Sequence, residues 1–302
     1  MSDVPRLSKW QIWWLAARPR TLPASLAGVI MGTALAWNEG HLHFPSALLA
    51  LLGAIFLQVG SNLANDVYDF ERGADTLERL GPLRVTRAGL LTPQQVKGGM
   101  WTTFFLAALA GIYLILRAGW PIALLGVTAI LAAIGYTAGP FPFGYYGLGD
   151  VFVFLYFGLA AVVGSYYVQR LALSPLAWWM AVPIGALTTA ILVVNNLRDR
   201  PQDQAAGKRT LAVYLGETGT RWEYTLLVAG AFLLLPFLIW RGFLPLSAIL
   251  PWLALPKAIR LIRQVWKEHG RALNLTLAGT GQMALIYSVL FWLGLVIAKE
   301  LL

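Results

Sequence analysis

Long apolar stretches, each free of Asp, Glu, Lys and Arg, alternate with short charged segments along the whole chain. They cover residues 21–38, 40–65, 98–116, 118–149, 151–169, 171–197, 224–240, 242–256 and 272–298. A bilayer core of roughly 30 Å needs about 20 apolar residues per helix, so the pattern predicts nine transmembrane helices. The fourth stretch has room for a helix and a Gly/Pro-rich loop, TAGPFPFGYYGLG, and the eighth is short and carries Pro245, Pro251 and Pro256. An odd number of spans puts the two termini on opposite sides. Between spans, one side receives connections of a few residues. The other receives two long ones, after the second and sixth spans, of about the length that is functional or disordered in compact proteins. Neither is low in complexity, so both are expected to carry function.

Composition agrees with the pattern. Of 302 residues, 58% are hydrophobic and 12% charged, against about 45–50% and 25% in a soluble domain. A soluble enzyme, a disordered chain and a fibrous repeat are excluded. The expected fold is an all-α membrane protein, one polytopic domain over 1–302, with nine helices around a central cavity. The absence of cysteine excludes disulfides and thiolate chemistry, and the three histidines, His41, His43 and His269, are too scattered for a His-based metal site. The net charge of +9 first suggests nucleic acid, but the bases flank apolar spans. With the N-terminus inside, nineteen of the 23 Lys and Arg fall on the inner side and four outside. That asymmetry predicts a cytoplasmic N-terminus and cytoplasmic long loops. The first ten residues show no cleavable signal.

The acidic residues hold the chemistry. Nine of the 14 fall at or near the two long inner connections. The first cluster, QVGSNLANDVYDFERGAD, places Gln58, Asn62 and Asp66 at i, i+4 and i+8, with Asp69 three residues later. The second, VVNNLRDRPQDQAAGKRT, repeats the spacing with Asn195, Asp199 and Asp203, although Pro201 threatens the last step. Such spacing stacks polar groups on one helix face, and polar groups in a membrane helix usually face a cavity. Asp66 and Asp199 lie 133 residues apart, which suggests two pseudo-repeated halves, roughly 1–137 and 138–302. Converging carboxylates repel unless a cation joins them, and Mg²⁺ binds through one or two carboxylates plus phosphate oxygens. Arg72, Arg84, Arg87, Arg198, Lys208 and Arg209 are close enough in sequence to neutralise a phosphate. Acids and bases beside an apolar cavity fit an amphiphilic diphosphate.

These residues resemble the two Asp-rich motifs of the UbiA-type intramembrane prenyltransferases: NDVYD followed by Asp75, and NNLRDRPQD followed by GKRTLAVYLG. Within that family the chain is similar to the 1,4-dihydroxy-2-naphthoate polyprenyltransferase branch. The segments that carry this likeness are ARPRTLPAS, RLGPLRVTRAGLLTP, GPFPFGYYGLGDVFVFLYFG, GSYYVQ and LNLTLAGTGQ. One departure is Gly73, which stands where the common pattern has an Asp, the acid coming two residues later at Asp75.

The resemblance implies a UbiA-like fold in a bacterial cytoplasmic membrane and a Mg²⁺-dependent transfer from polyprenyl diphosphate to 1,4-dihydroxy-2-naphthoate, with loss of CO₂. It implies metal ligation by Asp66, Asp69, Asp75, Asp199 and Asp203, and diphosphate contacts from Asn62, Asn65, Arg72, Arg84, Asn195, Lys208 and Arg209. Lys208 would also help the diphosphate leave. Arg18 and Arg20 are candidates for the acceptor carboxylate, with Tyr136 and Tyr145 beside the acceptor. Further aromatic candidates for a cation-protecting lining are Phe141, Phe143, Tyr146, Tyr156, Tyr166 and Tyr167. Family members with 4-hydroxybenzoate, homogentisate or haem as acceptor, and a transporter, are the alternatives. No H-E-x-x-H protease motif and no CDP-alcohol phosphotransferase motif occurs.

Overall fold

Each of the nine apolar stretches becomes a helical passage among the described residues, 7–74 and 80–301 of the computed structural model. Asp75, Glu78 and Arg79 of the first charged cluster lie outside them. A short helix α1, Lys9–Ala17, precedes the first passage. Its Ser8 cap receives the Gln11 N–H while the Gln11 side chain returns to the Ser8 N–H, a reciprocal capping box. A 3₁₀ turn at Pro19–Thr21 leads into α2, Leu22–Asn38. There follow α3, Phe44–Glu71; α4, Pro93–Ala118; and α5, Trp120–Gly135. The Gly/Pro segment after α5 is a loop with one 3₁₀ turn at Phe143–Tyr145.

The fifth passage is continuous over Gly149–Arg170. It consists of α6, Gly149–Val153, a π-helical stretch, Phe154–Ala160, and α7, Ala161–Arg170. Then come α8, Pro175–Ala205, and α9, Leu211–Trp240. The eighth passage is a 3₁₀ stretch, Leu246–Ala254, that carries Pro251 and passes into α10, Leu255–Lys267. The last is α11, Leu273–Glu300. Six helical passages are long and apolar enough to cross a membrane.

Two expected loops are helical instead. Pro201 is accommodated within α8, which runs on to Ala205, and α9 starts at Leu211 with a kink at Gly216 (φ +69°). The connection between them shrinks to a few residues, and Glu217, Arg221 and Glu223 lie on α9. The basic run after 256 forms α10, which turns Ala258, Leu261 and Val265 inward.

The larger core joins α2, α7, α8, α9, α10 and α11, and a smaller one joins α1, α3 and α4. Leu116, Trp120, Leu226, Trp240 and Leu275 remain exposed, as they must in a chain whose outer surface meets lipid. With no hydrophobic drive between helices in lipid, close approach depends on small residues. One such close crossing sets the π stretch on α8. A Cβ on Gly158 would lie 2.4 Å from Gly185 Cα and 3.1 Å from the Ala181 carbonyl oxygen. Both near atoms are backbone and cannot swing aside. Gly158→Val is expected to lower the detergent-solubilised melting temperature by several degrees, whereas Gly126→Val, in open space, leaves it unchanged. A thermal shift measured on the two variants checks this.

Candidate active site

The aspartate-bearing ends of α3 and α8 face each other across a cavity of about 660 Å³. α3 contributes Gln58, Ser61, Asn62, Asn65 and Asp69; α8 contributes Asn195, Arg198, Asp199, Gln202 and Asp203. The turn at Arg18, Arg20 and Thr21, the segment Leu80–Arg84, Lys208 after α8, and Asn274 of α11 complete the wall. The i, i+4, i+8 spacing on α8 therefore brings Asn195, Asp199 and Asp203 together.

Each cavity carboxylate is held by its own donor. Asp69 accepts from Arg84 Nη2 at 2.8 Å and from the Tyr145 hydroxyl at 2.7 Å. Arg198 is fully buried and donates to Asp199 through Nε at 2.7 Å and Nη2 at 2.5 Å. It also donates to Asn195 Oδ1 at 2.8 Å and Asn274 Oδ1 at 2.6 Å. Asn274 in turn donates to the Leu80 carbonyl at 2.9 Å, which ties the 80–84 segment to α11. Lys208 Nζ lies 3.5 Å from Asp203 Oδ1. The cavity thus places three acids and three bases in alternation.

Several expected site residues are engaged by the protein's own groups. Asp66 does not line the cavity. It is 1% exposed, and its two oxygens accept the backbone N–H groups of Val85 and Thr86, both at 3.1 Å. It anchors the segment that delivers Arg84. Asn62 lines the cavity, but its amide donates to the Ala17 carbonyl and to Thr21 Oγ1, both at 3.0 Å. Asn65 accepts from Thr137 at 3.2 Å. Arg72 reaches the Gly139 carbonyl beside the Tyr145 ring, and the contact of Arg209 to this region is its backbone N–H on the Tyr145 carbonyl at 2.9 Å.

Tyr145 lies on the acid side of the cavity, with its hydroxyl on Asp69. Lys208 lies 5.1 Å over its ring, and burial together with the Asp69 carboxylate holds its hydroxyl above the ordinary tyrosine range, so it remains the donor. Arg18 has φ +52° and ψ +63°, a left-handed conformation that costs a non-glycine residue about 1–2 kcal/mol.

Gln202 and Asn274 were not singled out from the sequence, and Arg198 was expected as a base for phosphate, not as the partner of Asp199. Arg198 sits inside the second acidic motif, and Asn274 is an amide in an apolar helix. Both are signals of a polar group that needs an interior partner.

A second, apolar chamber of about 400 Å³ lies deeper, among α2, α3, α4, α5 and the fifth passage. Gln58, Ser61, Tyr136, Val153 and Phe157 line both spaces, so the polar cavity adjoins the apolar one. Of the expected aromatics, Tyr136, Phe143 and Tyr156 line this chamber, joined by Phe152 and Phe157. Phe141 and Tyr146 stack on each other at 4.3 Å and are exposed. Tyr166 and Tyr167 bond to Glu39 and to the Ala118 carbonyl at the opposite end of the bundle.

Among the described residues no three acidic or imidazole side chains converge on one point. The donors instead fit cations shared between one or two carboxylates and phosphate oxygens. Asp203 Oδ2 and Gln202 Oε1 are buried acceptors without a hydrogen-bond partner, and all the available donors are hard oxygens, as Mg²⁺ prefers.

Comparison with known proteins agrees with this architecture. The profile of the UbiA prenyltransferase family matches residues 25–286. A 1,4-dihydroxy-2-naphthoate octaprenyltransferase of Escherichia coli is 39% identical over 97% of this chain and 98% of its own. Another, from Mycobacterium tuberculosis, is 41% identical over 92% of this chain and 94% of its own. The fold is that of a UbiA homologue from Archaeoglobus fulgidus solved with DMAPP and Mg²⁺. The TM-score is 0.65 at 17% identity, covering 94% of this chain and 99% of that one. By its helices, its paired aspartate motifs and a match over most of its length, the chain belongs to the UbiA prenyltransferase family.

Proposed function

We propose that the protein transfers a polyprenyl group from polyprenyl diphosphate to 1,4-dihydroxy-2-naphthoate, releasing diphosphate and CO₂ and giving demethylmenaquinol, the hydroquinone form of demethylmenaquinone. The observation that carries this reading is a pair of adjoining cavities, one lined by acids and bases and the other apolar and lined by aromatics. An allylic diphosphate is the ligand with both halves. The acceptor follows from the names of the relatives that match nearly the full chain.

The diphosphate sits among Asn65, Asp69, Asn195, Asp199, Asp203 and Lys208. Asp69, Asp199 and Asp203 would hold Mg²⁺ there, and the ion would supply charge neutralisation for the leaving diphosphate. Arg84, Arg198 and Lys208 keep the carboxylates apart and ionised, and they turn toward phosphate oxygens as charge builds on them. The allylic C–O bond breaks, its electron pair leaving with the diphosphate. Tyr136, Phe143, Tyr156 and Phe157 exclude water from the allylic carbon and face its positive charge. The electron-rich ring carbon that bears the carboxylate forms the new C–C bond, and CO₂ departs as the ring regains aromaticity. A chamber of about 400 Å³ holds the first units of a long chain, and the rest runs into lipid. The bacterial cytoplasmic membrane is the proposed location, with the N-terminus and the aspartate end cytoplasmic. The two halves, roughly 1–137 and 138–302, each supply one aspartate helix.

A product assay on purified protein tests the reading, with a long-chain polyprenyl diphosphate and either naphthoate or 4-hydroxybenzoate. Prenylated product and CO₂ from the naphthoate, abolished by EDTA and restored by Mg²⁺, is the expected result. Product from the benzoate alone would replace the acceptor. No product from either would return weight to another acceptor or to transport.

A further inference from the structure

The strained turn at the cavity wall carries Arg18, one of two arginines that the sequence offers to the acceptor carboxylate, and its geometry separates the two. We propose that Arg18 reads the carboxylate of the aromatic acceptor, and that Gln58 and Asn62 are positioning residues that hold it in place. The proposal rests on the acceptor being a naphthoate, as argued above.

Three observations carry it. First, Arg18 and Leu171 are the described non-glycine residues with a left-handed backbone. Both cap a helix, Leu171 at the far end of the bundle and Arg18 at the end of α1, but of the two Arg18 also lines the cavity. A conformation that disfavours side chains, kept at a cavity wall by a residue other than glycine, points to the side chain as the reason.

Second, the strain is held from outside the turn. Thr21 Oγ1 donates to the Arg18 carbonyl at 2.9 Å. Gln58 Nε2 and Asn62 Nδ2 each donate to Thr21 Oγ1 at 3.0 Å, and Asn62 also donates to the Ala17 carbonyl at 3.0 Å. Two buried amides of α3, the helix that carries Asp69, are thus directed at the turn and not at a phosphate.

Third, the cavity is divided by chemistry. Arg84, Arg198 and Lys208 are engaged with Asp69, Asp199 and Asp203. The Arg18 side of the wall adds Trp14, Leu15 and Pro19, flat apolar surfaces of the kind a fused aromatic ring covers. A guanidinium beside such a surface suits a planar aryl carboxylate, which it binds through two parallel hydrogen bonds.

The test compares two competitive ligands that do not react, 1-hydroxy-2-naphthoate and 1-naphthol, as inhibitors of the purified enzyme. The wild type is expected to bind the acid about tenfold or more tighter than the naphthol, and Arg18→Gln to lose that preference. Asn62→Ala and Gln58→Ala are expected to raise the KM for the dihydroxynaphthoate about 3- to 30-fold and to leave the KM for polyprenyl diphosphate within about twofold. Arg18→Gly, which relaxes the left-handed backbone, should keep the wild-type melting temperature while losing the acid preference. A wild-type enzyme indifferent to the carboxylate, or an Arg18→Gln variant that keeps the preference, would overturn the proposal. So would an Asn62→Ala effect confined to the diphosphate KM. Failure of the wild type to prenylate the dihydroxynaphthoate would instead overturn the underlying reading of function.

Discussion

Asp203→Asn is expected to lower turnover about a thousandfold, the upper end of the loss when one charge-stabilising group is removed from an active site. The melting temperature should stay unchanged or rise slightly. The substitution keeps shape and replaces one carboxylate oxygen by an amide nitrogen. In the folded protein Asp203 Oδ2 is buried without a hydrogen-bond partner, and Oδ1 has only Lys208, at 3.5 Å. Little protein structure depends on that oxygen, so little stability is lost with it. A buried acceptor left without a partner normally costs free energy, and its persistence fits a partner that arrives with the substrate. A neutral amide supplies neither the charge nor the second oxygen that a cation shared with phosphate requires. Turnover of the variant should demand a higher Mg²⁺ concentration for half-maximal rate. Wild-type turnover at ordinary Mg²⁺ would remove Asp203 from the site, and a large drop in melting temperature would make its role structural.

Most of the architecture could be read from the chain because lipid imposes a simple rule: about 20 apolar residues per passage. Nine stretches gave nine helical passages. The deviations occur where polar residues lie on helices. The segment after 197 is rich in charge, and charge suggests a loop. Yet α8 carries that charge to Ala205 along the cavity wall, through Pro201, because the charged side chains find one another: Arg198 with Asp199, Lys208 with Asp203. Partners of this kind are set by tertiary contact and leave no periodic signal. The same holds for Asn274, whose use depends on Arg198, 76 positions away in sequence.

On α3 the spacing rule pointed to the right helix but only partly to the right face. Gln58, Asn62 and Asp66 do stack, but the cavity face is Gln58, Ser61, Asn62, Asn65 and Asp69, and Asp66 falls off its edge. One residue is about 100° of rotation, enough to turn Asp66 away while its neighbour Asn65 faces in. Sequence spacing fixes relative angles on a helix; the zero of the angle comes from what the helix packs against.

Asp66→Asn should therefore give a pattern opposite to that of Asp203→Asn. Asp66 accepts two backbone N–H groups, one on each oxygen, in a site that is 1% exposed. An asparagine offers one acceptor and sets its NH₂ against the other N–H, leaving a donor facing a donor. Hydrogen bonds to a charged acceptor contribute about 1.5–3 kcal/mol each, and a buried N–H without a partner adds a similar penalty. The loss is expected to reach about 3 kcal/mol, seen as a fall of several degrees in melting temperature. The loosened segment is Leu80–Leu91, and it carries the Arg84 that holds Asp69 at 2.8 Å. Limited proteolysis should cut there in the variant and spare the wild type. Turnover should fall because Arg84 and Asp69 lose their geometry, yet the Mg²⁺ concentration for half-maximal rate should stay near the wild-type value. A variant with normal stability and a strongly raised Mg²⁺ requirement would instead make Asp66 a metal ligand, as its place in the motif suggests. The two Asn substitutions, one costing function without stability and the other costing both through a mobile segment, separate the carboxylate that meets the substrate from the one that builds the wall.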